Sequence, residues 1–192
     1  MTTTAPHPHP HPHPTPQVRP ATAADLEPIA ALHTAARAAY LRGRVPHAPF
    51  DARAEHARRR EAWARVLHGD GTPALCAIRC DRVVGAAAYL PHTSTARGPG
   101  ATVTLHQLHV DPAHWGTGVG RALHAACLRA WHTAGFTRAG LDVLWHNHRA
   151  RTFYTRLGWC PDPDRRPAPD ATHLALTLTL APPAPRPASA AS

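Results

Sequence analysis

Between Gln17 and Leu180 the chain alternates two kinds of segment: some with apolar residues every three or four positions, others apolar almost throughout. Leu26, Ile29, Ala30 and His33 share one helical face, and Thr22-Ala-Ala-Asp25 just ahead has the spacing of a capping box. These residues predict a first helix ending near Gly43. Asp51 is placed to cap a second helix, whose apolar stripe includes Trp63, Val66 and Leu67 and which breaks at Gly69-Asp-Gly71. Ala74–Cys80 and Arg82–Leu90, joined by a turn at Asp81, are apolar along their length, which predicts strands buried on both faces. After a loop over residues 91–101 come a strand at Thr102–Val110, a Gly-rich turn and a helix to about Ala134. A strand at Arg138–Trp145, a short helix at Asn147–Arg156 and a last strand near His173–Leu180 complete the pattern. Helices interleaved with strands predict a mixed α/β sheet covered on both faces.

The two ends break this pattern. Residues 6–16 read PHPHPHPHPTP, and proline at alternate positions removes backbone donors and excludes helix or ladder. Residues 1–16 are therefore expected to be a disordered tail. The alternative is a metal-binding tail, since neutral imidazoles ligate zinc, copper or nickel. No metal site is expected in the folded part. Residues 181–192, rich in Pro and Ala, are also expected to be disordered, which leaves one domain over residues 17–180. A chain of 192 residues with 43% apolar content has room for one ordinary core.

Charge and cysteine content narrow the function classes. The formal net charge is +9, and all 21 basic residues are arginine. They are dispersed, and the longest contiguous run is Arg58-Arg59-Arg60, so they predict a solvated surface, a minority serving an anionic cofactor, and no nucleic-acid partner. Cys76, Cys80, Cys127 and Cys160 form no CxxC pair and read as small buried hydrophobes in a reducing compartment. No apolar run approaches the roughly 18 residues of a membrane span, and no signal-peptide core is present, so a cytoplasmic protein with no membrane partner is expected.

The chemistry-bearing stretch is Leu108-His-Val-Asp-Pro-Ala-His-Trp-Gly-Thr-Gly-Val-Gly-Arg-Ala-Leu123. A strand ends at Val110, Pro112 turns the chain, and Gly116, Gly118 and Gly120 precede a helix. Glycines let backbone N–H groups converge on an anion, and the helix N-terminus adds free donors and a positive dipole end. A pyrophosphate suits such a turn, with Arg121 as counter-charge. A P-loop would need Gly-Lys-Ser/Thr where Gly120-Arg-Ala stands, and a dinucleotide turn would need glycine at Leu123. A tight turn with no ligand is the alternative. Asn147 and Tyr154, seven apart, are predicted to project from one face of the next helix. Phe153 and Trp159 read as core, and Tyr154 could be core as well.

The order L-x-V-x-P, x-G-x-G-x-G and N-x-x-A-x-x-F-Y-x-x-L-G-W resembles motifs A and B of the GNAT acetyltransferases, and Val18–Leu26 resembles the usual start of that fold. The likeness covers most of residues 17–160 and is sharpest over 104–159. It implies a mixed, mostly antiparallel twisted sheet splayed at its central strands, with helices on both faces. It also implies acetyl-CoA as co-substrate and a primary amine as acceptor. The backbone of Leu108, His109 and Val110 would hold the pantetheine arm and acetyl carbonyl. The amides of Trp115, Gly116, Thr117, Gly118, Val119, Gly120 and Arg121 would take the pyrophosphate. Asn147 would contact the pantetheine arm, and Tyr154 would be the general acid for the leaving thiolate.

Two positions depart from the family pattern. Trp115 stands where Gln or Arg is usual, leaving its backbone N–H for phosphate and its ring to pack beside the cofactor. Thr104 stands where a glutamate base is common. His106 lies two residues on, so strand periodicity puts it on the same face, with His109 turned the other way as a structural residue. Serotonin-acetylating members of the family resemble this sequence there. An imidazole of ordinary pKa, about 6.5, suits proton relay from an ammonium; an incidental His106 is the alternative. The loops Tyr40–Phe50 and Pro91–Ala101, which would build the acceptor cleft, carry no acidic residue, which disfavours polycations. A small amine, an amino acid or a peptide N-terminus is expected, on a monomer or homodimer. The competing class is a GNAT-like CoA-binding module without acetyl transfer.

Overall fold

The computed structural model describes residues 14–42, 50–69, 72–92, 101–168 and 170–180. The His-Pro repeat through His13, Gly43, Asp70-Gly71, most of both acceptor loops and the Pro/Ala-rich end lie outside the described residues. In chain order come β1 (Gln17–Pro20), α1 (Leu26–Arg42), α2 (Ala52–His68), β2 (Ala74–Arg79), β3 (Arg82–His92), β4 (Thr102–Val110) and α3 (Val119–Ala134). They are followed by β5 (Arg138–Leu144), α4 (His148–Thr155), β6 (Cys160–Pro161) and β7 (His173–Thr179). The strands form one sheet in the order β1-β2-β3-β4-β5-β7-β6. Every pairing is antiparallel except that of β4 with β5. No described helix is long and apolar enough to cross a membrane.

Local chemistry explains most element ends. The Asp25 carboxylate accepts from the Thr22 N–H at 2.8 Å, closing the capping box. It also receives two Arg19 nitrogens at 2.8 Å each, and this pairing holds its carboxyl down to about 2. Asp51 caps α2 by accepting from the N–H groups of Arg53 and Ala54. The turn between β2 and β3 uses Cys80 and Asp81, both left-handed (φ 48° and 56°), as a two-residue hairpin of this twist requires. β1 and β6 are missing from the hydrophobic pattern because they are too short to show a period. Pairing with β2 and β7 makes them strands.

Each face of the sheet has its own core. Val119, Leu123, Cys127 and Trp131 of α3 pack with Tyr154 and Trp159 against Ala87, Tyr89, Val103 and Leu105. On the opposite face Leu26, Ile29 and Trp63 pack against Cys76, Ala86 and Ala88. β3 is buried on both sides, as its continuous apolar run predicts. The cysteines divide: Cys76 and Cys127 are buried, whereas Cys80 and Cys160 are exposed, so burial was the wrong expectation for the latter two. Cys80 lies in the hairpin turn and Cys160 on the two-residue edge strand.

Two irregularities at the centre of the sheet prepare the site. β4 and β5 pair only through Thr102–Thr104 and Arg138–Gly140, and beyond these residues the two strands splay apart. Within β4, Leu105 faces Tyr89 and Gln107 faces Ala88, so His106 is the extra residue of a bulge. The bulge reverses strand parity. Val103 and Leu105 reach the α3 side before it, and Leu108 and Val110 after it. His109 therefore shares the α1/α2 side with Thr104 rather than facing the other way.

Candidate functional site

The mouth of the splay is closed at one end by the Gly-rich turn. Asp111 accepts from the Ala113 N–H, residues 112–114 form one 3-10 turn, and α3 begins after Gly118. Gly116 and Gly118 are left-handed, with φ of 79° and 89°, and a Cβ on either would meet nothing within 4 Å. The first amides of α3 have no intrahelical partner, so donors, dipole and open space coincide on the outer side of the turn. Arg121 is exposed on that first helical turn. Gly120 differs from the other two: its Cβ would stand 3.4 Å from the Phe153 ring, so it is small because α4 packs there.

Arg79 anchors the turn from below, donating to the Thr117 hydroxyl at 2.9 Å and the Thr117 carbonyl at 3.1 Å. Trp115 turns its ring inward, and its Nε1 donates to the Val110 carbonyl at 2.9 Å. Arg149 of α4 lies over that ring, 4.3 Å from its centroid, and brings a positive charge to the turn. Hydrophobic patterning does not single out Arg79 or Arg149. Each becomes relevant only when its element is packed beside the turn.

Backbone groups line the splay. The Asp111 N–H donates to Val84 of β3, so strand alternation aims the polar groups of Leu108 and Val110 toward the gap that β5 leaves. The Val110 carbonyl is taken by Trp115. The Leu108 groups and the Val110 N–H have no neighbouring strand on that side. His109 uses its side chain elsewhere: its ring stacks on His33 of α1 at 3.5 Å, and its Nε2 lies 2.5 Å from Gln107 Oε1. His33 in turn accepts from Trp63 Nε1 at 3.1 Å. Burial, then the charges of Arg59 and Arg37, holds His33 down to about 3. Burial, then His33, keeps His109 well below the ordinary imidazole range. This pair is a neutral wall. His106, on the bulge, is exposed.

Asn147 and Tyr154 do not share a helical face. Asn147 precedes α4 as its N-cap, and its Oδ1 accepts from the Ala150 N–H at 3.1 Å. Its amide nitrogen remains as a donor. Tyr154 is buried against Phe153 and Trp159, with ring centroids 5.1 and 5.8 Å away. Burial, and then nearby Cys127, pushes the phenol's pKa above its ordinary value, so it keeps its proton. No described residue bonds its hydroxyl. The run Arg58-Arg59-Arg60 is spent on ion pairs: Arg58 and Arg59 hold buried Glu55, and Arg60 pairs with Glu27. No group of three or more His, Cys, Asp or Glu suited to a metal occurs among the described residues.

A sheet split at its centre, with an open glycine turn leading into a helix at the mouth of the split, is the architecture of the GNAT class. Residues 30–159 match the Acetyltransferase (GNAT) family, and the chain belongs to it. The PaiA N-acetyltransferase of Thermoplasma acidophilum, solved with coenzyme A, superposes with a TM-score of 0.67 at 14% identity, over 86% of this chain and 99% of that one. The ribosomal-protein-S18-alanine N-acetyltransferase of Escherichia coli gives 0.58 at 18%, over 86% and 94%. A Corynebacterium glutamicum protein described as histone acetyltransferase HPA2 and related acetyltransferase gives 0.60 at 23%, over 91% and 99%. At these identities the likeness is one of fold. No curated protein matches the sequence.

Proposed function

We propose that this protein transfers the acetyl group of acetyl-CoA to a primary amine, with both substrates bound together. The observation that carries this reading is the turn at Gly116–Gly118, open to an anion, placed at the mouth of the β4/β5 splay. Bound acetyl-CoA would supply an activated acetyl thioester. The N–H groups of Trp115 and Thr117 already donate to the Pro112 and His114 carbonyls, so the amides of Gly116 and of residues 118–121 would hold its pyrophosphate, with Arg149 and Arg121 as counter-charges. The free backbone groups of Leu108 and Val110 would align the pantetheine arm and polarise the acetyl carbonyl. The Asn147 amide nitrogen would reach the same arm.

The protein's own side chains then handle two protons. His106, exposed on the bulge at the splay, would take the proton that the acceptor's ammonium must lose before its nitrogen can attack. Tyr154, kept protonated by burial, would deliver a proton to sulfur as the C–S bond breaks. A thiol-release assay with acetyl-CoA against a panel of amines, amino acids and peptides tests the proposal. At least one acceptor should be turned over, and His106→Ala should depress transfer most below neutral pH, with partial recovery as pH rises. CoA binding without thiol release from any acceptor would leave a binding module instead. A uniform loss in His106→Ala at all pH values would make His106 a packing residue.

A further inference from the structure

On the α1/α2 side of the sheet the helices leave β5 and β7 uncovered, and none of the core residues there belongs to those strands. The segment after β6 overlies them. Arg138 ties it down, donating to Asp162 at 2.7 Å and Asp164 at 3.0 Å. With β5 and β7 it forms a shallow, open cavity of about 500 Å³ lined by Asp142, Arg165, Arg166, Thr172, His173 and Ala175. Asp142 is two residues beyond Gly140, the last β5 residue paired with β4, so it stands where the splay has opened. Its neighbours Leu141 and Val143 point into the α3-side core, which turns Asp142 to the same side of the sheet as His109 and Thr104. Arg165 pairs with it at 3.0 Å, and both side chains are about half exposed.

Resting on the acetyl-transfer reading above, we propose that this cavity takes the acceptor, and that the acceptor is a free amino acid. Asp142 would receive its ammonium, and Arg165, with Arg166, its carboxylate. The reason is charge pairing. A simple amine that claims Asp142 must displace Arg165, leaving two unpaired guanidiniums in one cavity. A zwitterion exchanges one ion pair for two, and its own dipole matches the one already built there. A polycation meets the surplus positive charge of Arg165 and Arg166. An ammonium seated at Asp142 lies beyond the last β4–β5 pair, on the side of the sheet that His109 faces.

The test is steady-state thiol release by the full chain with acetyl-CoA. The acceptors are the common amino acids, each beside its carboxamide and its decarboxylated amine. An amino acid should have the highest kcat/KM. Arg165→Ala should lower that value about tenfold or more, the range of a charge-assisted hydrogen bond, while leaving carboxamides within about twofold. Asp142→Asn should lower amino acid and carboxamide alike. Both positions are exposed, and an unchanged thermal midpoint would show that the fold is kept. A carboxamide or plain amine used as well as its parent acid would overturn the inference, as would an equal loss on all acceptors in Arg165→Ala. Transfer to amines or peptides but never to amino acids would overturn it while leaving the acetyltransferase intact. Failure to bind CoA in calorimetry, or no transfer to any acceptor, would overturn both.

Discussion

Tyr154 is the side chain on which the chemistry and the packing make opposite demands. It belongs to the α3-side core, between Phe153 and Trp159, yet its hydroxyl has no protein partner among the described residues. A phenol kept only for packing would gain nothing from that oxygen. Tyr154→Phe therefore separates the two roles. The ring contacts stay and no hydrogen bond is lost, so the thermal midpoint should hold within about 2 °C. A positioned acid contributes about 10²–10⁴-fold, and water substitutes in part, so kcat should fall by about 10²–10³-fold. Full turnover in Tyr154→Phe, where chemistry limits the rate, would make Tyr154 a core residue alone.

The three glycines of the turn look alike in one dimension and differ once α3 and α4 are packed. Gly118, left-handed with open space beside it, would face the pyrophosphate under the proposed function; Gly120 faces the Phe153 ring. Gly118→Ala should cost about 1–2 kcal/mol of backbone strain and put a methyl group where pyrophosphate must lie. CoA affinity, read by calorimetry, should drop at least about tenfold. Gly120→Val should instead push its γ-carbons into Phe153, lowering the thermal midpoint by more than it weakens CoA. If the two variants exchanged these effects, the anion would have to sit over Gly120. Arg79 gives the turn its rigidity from a strand nearly forty residues upstream, so the loop is a product of the sheet as much as of its own glycines.

At the level of the whole molecule, buried neutral histidines set the response to acid. His33 is held down to about 3 and His124, which accepts from Trp159 Nε1, to about 4, both chiefly by burial; His109 lies well below its ordinary value. Unfolded, each would titrate near 6.5, so below that pH the unfolded chain binds more protons. Their neutral burial is undisturbed above pH 6.5, and stability falls as pH drops, by about 1.4 kcal/mol per pH unit for each histidine. For His124 the loss ends near pH 4, below which both states are protonated. Asp25 acts later: its contribution is present above about 3.8 and is lost toward 2. Thermal midpoints should therefore begin to decline at about pH 6.5, before the carboxylates, of which paired Glu55 is held below its ordinary value of 4.5, start to matter. His124→Gln, which keeps an acceptor for Trp159 but does not titrate, should flatten that decline. An unchanged slope would show that His124 is not among the groups responsible.

What the chain determined by itself is everything that depends on a few consecutive residues. The capping box at Thr22–Asp25, the α2 cap at Asp51, the αβ order and the glycine turn all follow from backbone freedom and side-chain period within one or two turns. These were enough to mark residues 108–121 and Tyr154. Tertiary structure decided which way side chains face and which distant charges meet. Strand alternation put His109 on the wrong side because the bulge at His106 arises from how β3 and β4 pair. Helical spacing put Asn147 and Tyr154 on one face because it could not show that Asn147 sits outside the helix as a cap. Asp142 reads in sequence as one polar residue in an apolar strand; its place beside the splay exists only because β5 leaves β4 after Gly140 and Arg165 returns to it from 23 residues away. A local period carries no information about which strand lies alongside, and strand pairing positions every one of these groups.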